Sequence, residues 1–218
     1  VSGDATMSIV VIAHNKGGVG KTTSAMNLIG ELKPDLIIDL DVHESLSVIN
    51  KMRPDDKMLP VVVCKDKKHL LKVMSEADDN GQDIFIDCGG FDSDLTQTAI
   101  SLADLLIVPA NDTITERIGL LSFDALLTKL SKNLDKQLDA RLLLCKVHPS
   151  RKNFEKIDEL LENTHHLKRL TNVISYRAGY TESLEYGLGV TESVATRSSP
   201  AGKELTLLAN EIKSLLVK

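Results

Sequence analysis

Short, continuous apolar runs recur along the chain: Ile9-Val10-Val11-Ile12-Ala13, Leu36-Ile37-Ile38-Asp39, Leu59-Pro60-Val61-Val62-Val63, Ile84-Phe85-Ile86-Asp87, Leu105-Leu106-Ile107-Val108-Pro109 and Arg141-Leu142-Leu143-Leu144-Cys145. Their length and β-branched content predict buried strands, with Val173-Ile174 as a short last one. Between them, residues 24–32, 66–78, 94–102, 115–132 and 153–163 carry apolar residues at helical spacing. Strands without polar alternation, separated by helices, predict one doubly wound α/β domain with a mostly parallel sheet covered on both faces. No repeat, low-complexity segment or long linker interrupts it, so the domain is expected to span 7–218. Val1 to Thr6 precede Met7 and read as an expression remnant outside the fold. From Ala201 to Val217, Leu205, Leu208, Ile212 and Leu215 share one helical face, and a core-packing helix is expected there.

The junction between the first strand and first helix carries Asn15-Lys16-Gly17-Gly18-Val19-Gly20-Lys21-Thr22-Thr23. Strand, glycine-rich turn and helix is the context in which G-x-x-x-x-G-K-[ST] binds phosphate. Glycines let the backbone N–H groups turn inward beside the positive end of the helix. Lys21 is expected to reach the β/γ-phosphates and Thr22 to ligate Mg²⁺, with residues 16–23 surrounding the nucleotide phosphates. The match departs at its start, where Asn15 replaces the first glycine and Lys16 follows.

In open α/β sheets, ligands bind beyond the carboxyl ends of the strands. Asp39 and Asp41 close the second strand and Asp87 the fourth. One such Asp is ordinarily a turn or cap residue. Three beside a phosphate loop point instead to Mg²⁺ held directly or through water, and to an oriented attacking water.

Composition narrows the partners. Net charge is −5, so any nucleic-acid contact requires a local basic patch. Aromatics make up only 3%, which argues against a base-stacking single-strand platform. Cys64, Cys88 and Cys145 are few and widely spaced, which suits a reducing cytoplasm and gives no zinc pattern. No apolar stretch approaches a membrane span.

Lys16-Gly17-Gly18-Val19-Gly20-Lys21-Thr22-Thr23 resembles the deviant Walker A motif of the ParA/MinD family of P-loop ATPases. The resemblance implies that fold, ATP with Mg²⁺, and a homodimer formed on ATP in which Lys16 crosses to the partner's phosphates. It extends to Asp39-Leu40-Asp41-Val42-His43, similar to switch I, with Val42-His43 in place of Pro-Gln. It implies a water-positioning role for Asp41 and a metal-supporting role for Asp39. Ile84 to Ser93 resembles Walker B and switch II, and places Asp87 at the metal. Its Gly89-Gly90-Phe91-Asp92-Ser93 is closer to small plasmid ParA proteins than to MinD. Ile174-Ser175-Tyr176-Arg177-Ala178-Gly179-Tyr180 resembles the segment whose arginine touches DNA, which makes Arg177 the DNA candidate. Arg151-Lys152 and Lys168-Arg169 are further basic pairs, and Glu185 to Glu192 resembles the plasmid ParA ending. The resemblance implies that Asn111 to Glu116 runs beside the nucleotide or a partner subunit without a clear role, and Cys145-Lys146-Val147-His148 stands where relatives have an adenine-reading Asn.

Together these imply a cytoplasmic, nucleoid-associated partition ATPase. Lys16, Lys21 and Asp41 would serve turnover, and Thr22, Asp39 and Asp87 the metal. The dimer would bind double-stranded DNA non-specifically, and a ParB-like adaptor would stimulate hydrolysis. Rival expectations are a MinD-like membrane-surface ATPase, a carboxylate-phosphorylating ligase and an iron–sulfur electron-transfer ATPase. No membrane association is expected, because the C-terminal stretch lacks a basic face.

Overall fold

The structure, a computed structural model, describes residues 7–14, 16–89 and 93–217. Among the described residues eight strands form: β1 Ile9–Ile12, β2 Leu36–Asp39, β3 Val61–Val63, β4 Ile84–Asp87, β5 Leu105–Ala110, β6 Ala140–Val147, β7 Leu167–Arg169 and β8 Ile174–Ser175. The helices are α1 Lys21–Leu32, α2 Ser45–Asn50, α3 Lys67–Asp79, α4 Asp94–Leu102, α5 Ile114–Leu134, α6 Glu155–Leu161, α7 Gly179–Glu182 and α8 Pro200–Leu216. The sheet order is β3-β2-β4-β1-β5-β6-β7, with β8 beside β6, and every pairing is parallel.

Period-2 alternation in β1 sets the two layers. Ile9 and Val11 face a core completed by Leu70 and Met74 of α3, Ile100 of α4, Leu120 and Phe123 of α5 and Ile157 of α6. Val10 and Ile12 face the other, completed by Met26 and Ile29 of α1, Leu46 of α2, Tyr180 of α7 and Leu205, Leu208 and Ile212 of α8. Leu215 of the expected apolar face lies outside this contact and is exposed.

The apolar runs became strands as expected. The first helix begins at Lys21, three residues before its apolar period, because the phosphate loop turns directly into it. The helix expected over 153–163 contracts to α6, entered from Phe154 without a side-chain cap. Three short elements carry no legible pattern: α2, α7 and edge strand β7. Chain order reverses at β1, which lies between β4 and β5, so the crevice past its carboxyl end is the topological switch point.

Candidate nucleotide site

The loop from β1 to α1 opens onto that crevice. Gly18 and Gly20 hold φ angles of +77° and +101°, backbone that only glycine adopts at little cost. A Cβ at Gly17 or Gly18 would meet nothing within 4 Å, so this backbone faces open space. Helix α1 starts from Gly20 with no side-chain cap and no acid in its first turn. Its leading N–H groups are therefore left for an anion. The Lys21 ammonium donates to the Lys16 carbonyl at 3.1 Å, folding back over the loop. Lys146, itself at φ +56°, donates to the Gly18 carbonyl at 2.7 Å from the end of β6. Asn15 lies outside the described residues.

His14 anchors the loop from below. Its ring is fully buried, stacked on Phe123 with centroids 6.0 Å apart, and its Nδ1 accepts the Lys16 N–H at 2.9 Å. Burial, and then the nearby Lys21 and Lys16 charges, push its pKa down to about 4. His14 is thus a neutral acceptor near pH 7.

The carboxylates meet across adjacent strands, with Asp39 of β2 in register with Asp87 of β4. Asp39 accepts from the Asp41 N–H at 3.0 Å, the Ser47 N–H at 3.0 Å and the Ser47 hydroxyl at 2.8 Å. Asp87 is fully buried, and neither oxygen has a hydrogen-bond partner among the described residues. Burial first, then the Asp39 charge, pushes its pKa up to about 8, against the opposing pull of Thr22 and Lys21. An orphaned carboxylate behind the phosphate loop is a group awaiting a cation or a donor. Asp41 follows on the loop after β2, where its carboxylate accepts the His43 N–H at 3.0 Å. A Cβ on Gly89 would lie 2.8 Å from the Asp41 Cα, so the loop after β4 must have glycine there. Gly90, Phe91 and Asp92 lie outside the described residues, while Ser93 caps α4 by accepting the Thr96 N–H. Among the described residues no three His, Cys, Asp or Glu side chains form a self-sufficient metal cage. The donor set fits a hard cation that keeps waters and phosphate oxygens as ligands.

Lys16 reaches away from the loop to α5. Its ammonium lies 2.5 Å from a Glu116 carboxylate oxygen and donates to the Thr115 hydroxyl at 3.2 Å. Arg177 lines a cleft of about 250 Å³ beside Gly20, Thr23 and Ser24, with Cys145, Lys146, Ile174 and Tyr176 completing its wall. Its guanidinium is paired with Glu204 of α8 at 2.7 Å, and Glu204 also receives the Ser175 and Tyr180 hydroxyls. The candidate DNA residue is thus part of the cleft's wall, paired with Glu204. The other basic pairs are partly engaged: Arg151 with Asp112, and Arg169 with Asp158, both guanidiniums also over the Phe154 ring. The three cysteines are free and buried, and burial pushes the Cys145 thiol up to about 12.

Residues 17–23, Asp39, Asp41 and Asp87 therefore lie about one crevice, whereas Lys16 shares the loop but sends its ammonium to α5. Sequence reasoning missed His14, Ser47, Glu116 and Lys146. Lys146, near the end of β6, and Glu116, in the stretch expected beside nucleotide or partner, carried a positional signal without a role.

A strand–loop–helix with an uncapped helix start, two loop lysines and a buried carboxylate at the switch point defines a P-loop nucleotide-binding protein. The CobQ/CobB/MinD/ParA nucleotide binding domain matches residues 10–190, and the chain belongs to this family of nucleotide-binding ATPases. Protein ParA of Rhizobium radiobacter is 26% identical over 154 residues, covering 68% of this chain and 69% of that protein. Among solved structures, the ATP complex of a Cyanothece McdA variant superposes with a TM-score of 0.68 at 16% identity, covering 97% of each chain. The MinD cell division protein of Aquifex aeolicus gives 0.67 at 18% identity, covering 95% of this chain and 97% of its own.

Proposed function

We propose that the chain is a ParA-type partition ATPase, and the observation that carries this is the Lys21 ammonium folded over the loop at the uncapped start of α1, beside the buried Asp87 and with Lys16 in the same loop. Residues 16–23 would wrap the phosphates of ATP, and the cleft beside Gly20 would take the remainder of the nucleotide. Lys21 and the loop amides would offset the charge on the transferred phosphoryl group. Thr22 would hold Mg²⁺, with Asp87 and Asp39 behind it holding the ion's waters. Bound there, the ion would supply positive charge to offset that of the phosphate oxygens. Ser47 fixes the Asp39 carboxylate, and Asp41 would orient the attacking water.

Two ATP-bound copies would pair, with each Lys16 passing from Glu116 to the other copy's phosphates. The dimer would bind double-stranded DNA through its phosphates, in the nucleoid of the cytoplasm. Arg177 would contribute with the guanidinium N–H groups that Glu204 leaves over, two of its nitrogens being engaged there. A ParB-like adaptor would trigger hydrolysis and release, moving a plasmid, a chromosome region or another cargo.

The MinD-like alternative places the chain on a membrane surface instead. Leu205, Leu208 and Ile212 of α8 are committed to the core against α1, which favours the DNA reading. The test is binding to random-sequence duplex DNA with ATP, ADP or no nucleotide, for the native chain and Lys16→Ala. Binding with ATP only, lost in the variant and weakened by salt, is expected. Absence of binding in every nucleotide state, with ATP-dependent binding to anionic liposomes, would replace this reading with the alternative.

A further inference from the structure

Glu116 sits in the first turn of α5 and is 4% exposed. Buried carboxylates are ordinarily satisfied on both oxygens. Here one oxygen meets the Lys16 ammonium at 2.5 Å, and the other is buried with no partner among the described residues. The ammonium is therefore the sole cation that the structure brings to this carboxylate, among the described residues. A second acceptor, the Thr115 hydroxyl, also takes a hydrogen bond from Lys16 and is itself 3.2 Å from the Thr113 hydroxyl that caps the helix. At its backbone, the same lysine is pinned by His14 and by Lys21.

Moving Lys16 onto a phosphate would strip a buried carboxylate of its counter-charge, a loss that breaking one partner of a buried pair always incurs. We propose that Glu116 is a positioning residue: it holds Lys16 on α5 in the nucleotide-free chain, so that phosphate must displace a carboxylate to recruit the lysine. Glu116 thereby raises the ATP concentration at which Lys16 engages and keeps nucleotide-free copies from presenting that lysine. The inference rests on the reading of Lys16 as a phosphate contact, and the two can fail separately.

The test is Glu116→Gln, which keeps shape and one hydrogen bond but removes the charge. Without nucleotide, acetylation of Lys16 by an N-hydroxysuccinimide ester is followed by mass spectrometry, with exposed Lys33 as the internal standard. Lys16 is expected to react about threefold faster or more in the variant, with Lys33 unchanged, the ratio expected when a half-buried ion pair is lost. In the same protein the ATP concentration for half-maximal binding is expected to fall by a similar factor. Thr115→Ala, at an exposed position, is expected to shift both readings in the same direction by less, and serves should Glu116→Gln fold poorly. Unchanged Lys16 reactivity in both variants would overturn the latch. Faster labelling with an unchanged ATP midpoint would reduce the pair to a purely structural contact and overturn the positioning role. Faster labelling with no ATP binding by any of the proteins would overturn the nucleotide reading while leaving the ion pair in place.

Discussion

Asp39 and Asp87 stand opposite each other on adjacent parallel strands, yet Asp39 is hydrogen-bonded three times and Asp87 not at all among the described residues. The asymmetry arises from the different paths of the chain beyond the two strands. After β2 the chain curls into α2, bringing Ser47 back to Asp39. After β4 it leaves over Gly89 and brings no donor of its own back to Asp87 among the described residues, leaving the Thr22 hydroxyl of α1 as the group that favours its charged form. A buried carboxylate left without partners destabilises the free chain while readying the crevice for a cation.

Asp87→Asn is therefore expected to make the nucleotide-free chain more stable at pH 7 by about 1–3 kcal/mol, because burial beside Asp39 raises the carboxyl's pKa to about 8 and an amide carries no such ionisation penalty. ATP turnover should fall by about 100-fold or more if, as proposed, the Asp87 carboxylate stands behind the Mg²⁺. Chemical denaturation and phosphate release measure the two. A less stable variant would show that the carboxylate is satisfied in solution.

His14 supplies the pH dependence. Its folded pKa, about 4, lies below the 6.5 of an ordinary histidine. Between these values the unfolded chain binds the proton and the folded chain does not, so this residue's contribution to stability is present above pH 6.5 and is lost on acidification towards pH 4. His14→Phe keeps a ring against Phe123 and is expected to remove on the order of 3 kcal/mol from that acid-side slope. Denaturation free energies at pH 7 and pH 4 for the two proteins check it.

Gly89→Ala probes the approach of the two acidic loops. Its Cβ would fall 2.8 Å from the Asp41 backbone, and that loop must move. We expect kcat to fall about tenfold through misplacement of Asp41, with KM for ATP changed less than about twofold. A change confined to KM would place Asp41 in binding rather than in the chemical step.

The Arg53 guanidinium is almost fully buried, paired with Glu192 and donating to the Gly187 carbonyl, so it ties the turn after α7 to the end of α2. Arg53→Ala leaves Glu192 without its partner and is expected to cost about 3–5 kcal/mol in urea denaturation. Reactivity of the folded chain towards ATP should change far less than stability.

The legible parts of the fold are those with a period. Runs such as Ile84-Phe85-Ile86 could only be buried strands, and the loop at residues 16–23 announced its own turn and helix. Helix α2 was invisible because six residues hold less than two turns, and it starts from Glu44 at φ +51° without a side-chain cap. Strand β7 has two charges in three residues and exists because β6 offers it an edge. Within the site, Asp39, Asp41 and Asp87 were legible because strand ends concentrate ligands. Glu116 was legible only as part of a stretch beside the nucleotide or a partner subunit, with no role of its own. Its ion pair is with a lysine from the far end of the fold's first loop, a contact that only the tertiary structure creates. Arg177 was legible as a cation but not as a cleft residue, because its partner Glu204 lies on another element.

Sedimentation velocity of the native chain and of Lys16→Ala, each with a hydrolysis-resistant ATP analogue, with ADP and without nucleotide, tests the central claim most directly. A doubling of mass for the native chain with the analogue alone, absent in the variant, is the expected result. A native chain that stays monomeric with the analogue, or a variant that dimerises as readily as the native chain, would contradict the account of Lys16 as the lysine that joins two nucleotide-bound copies.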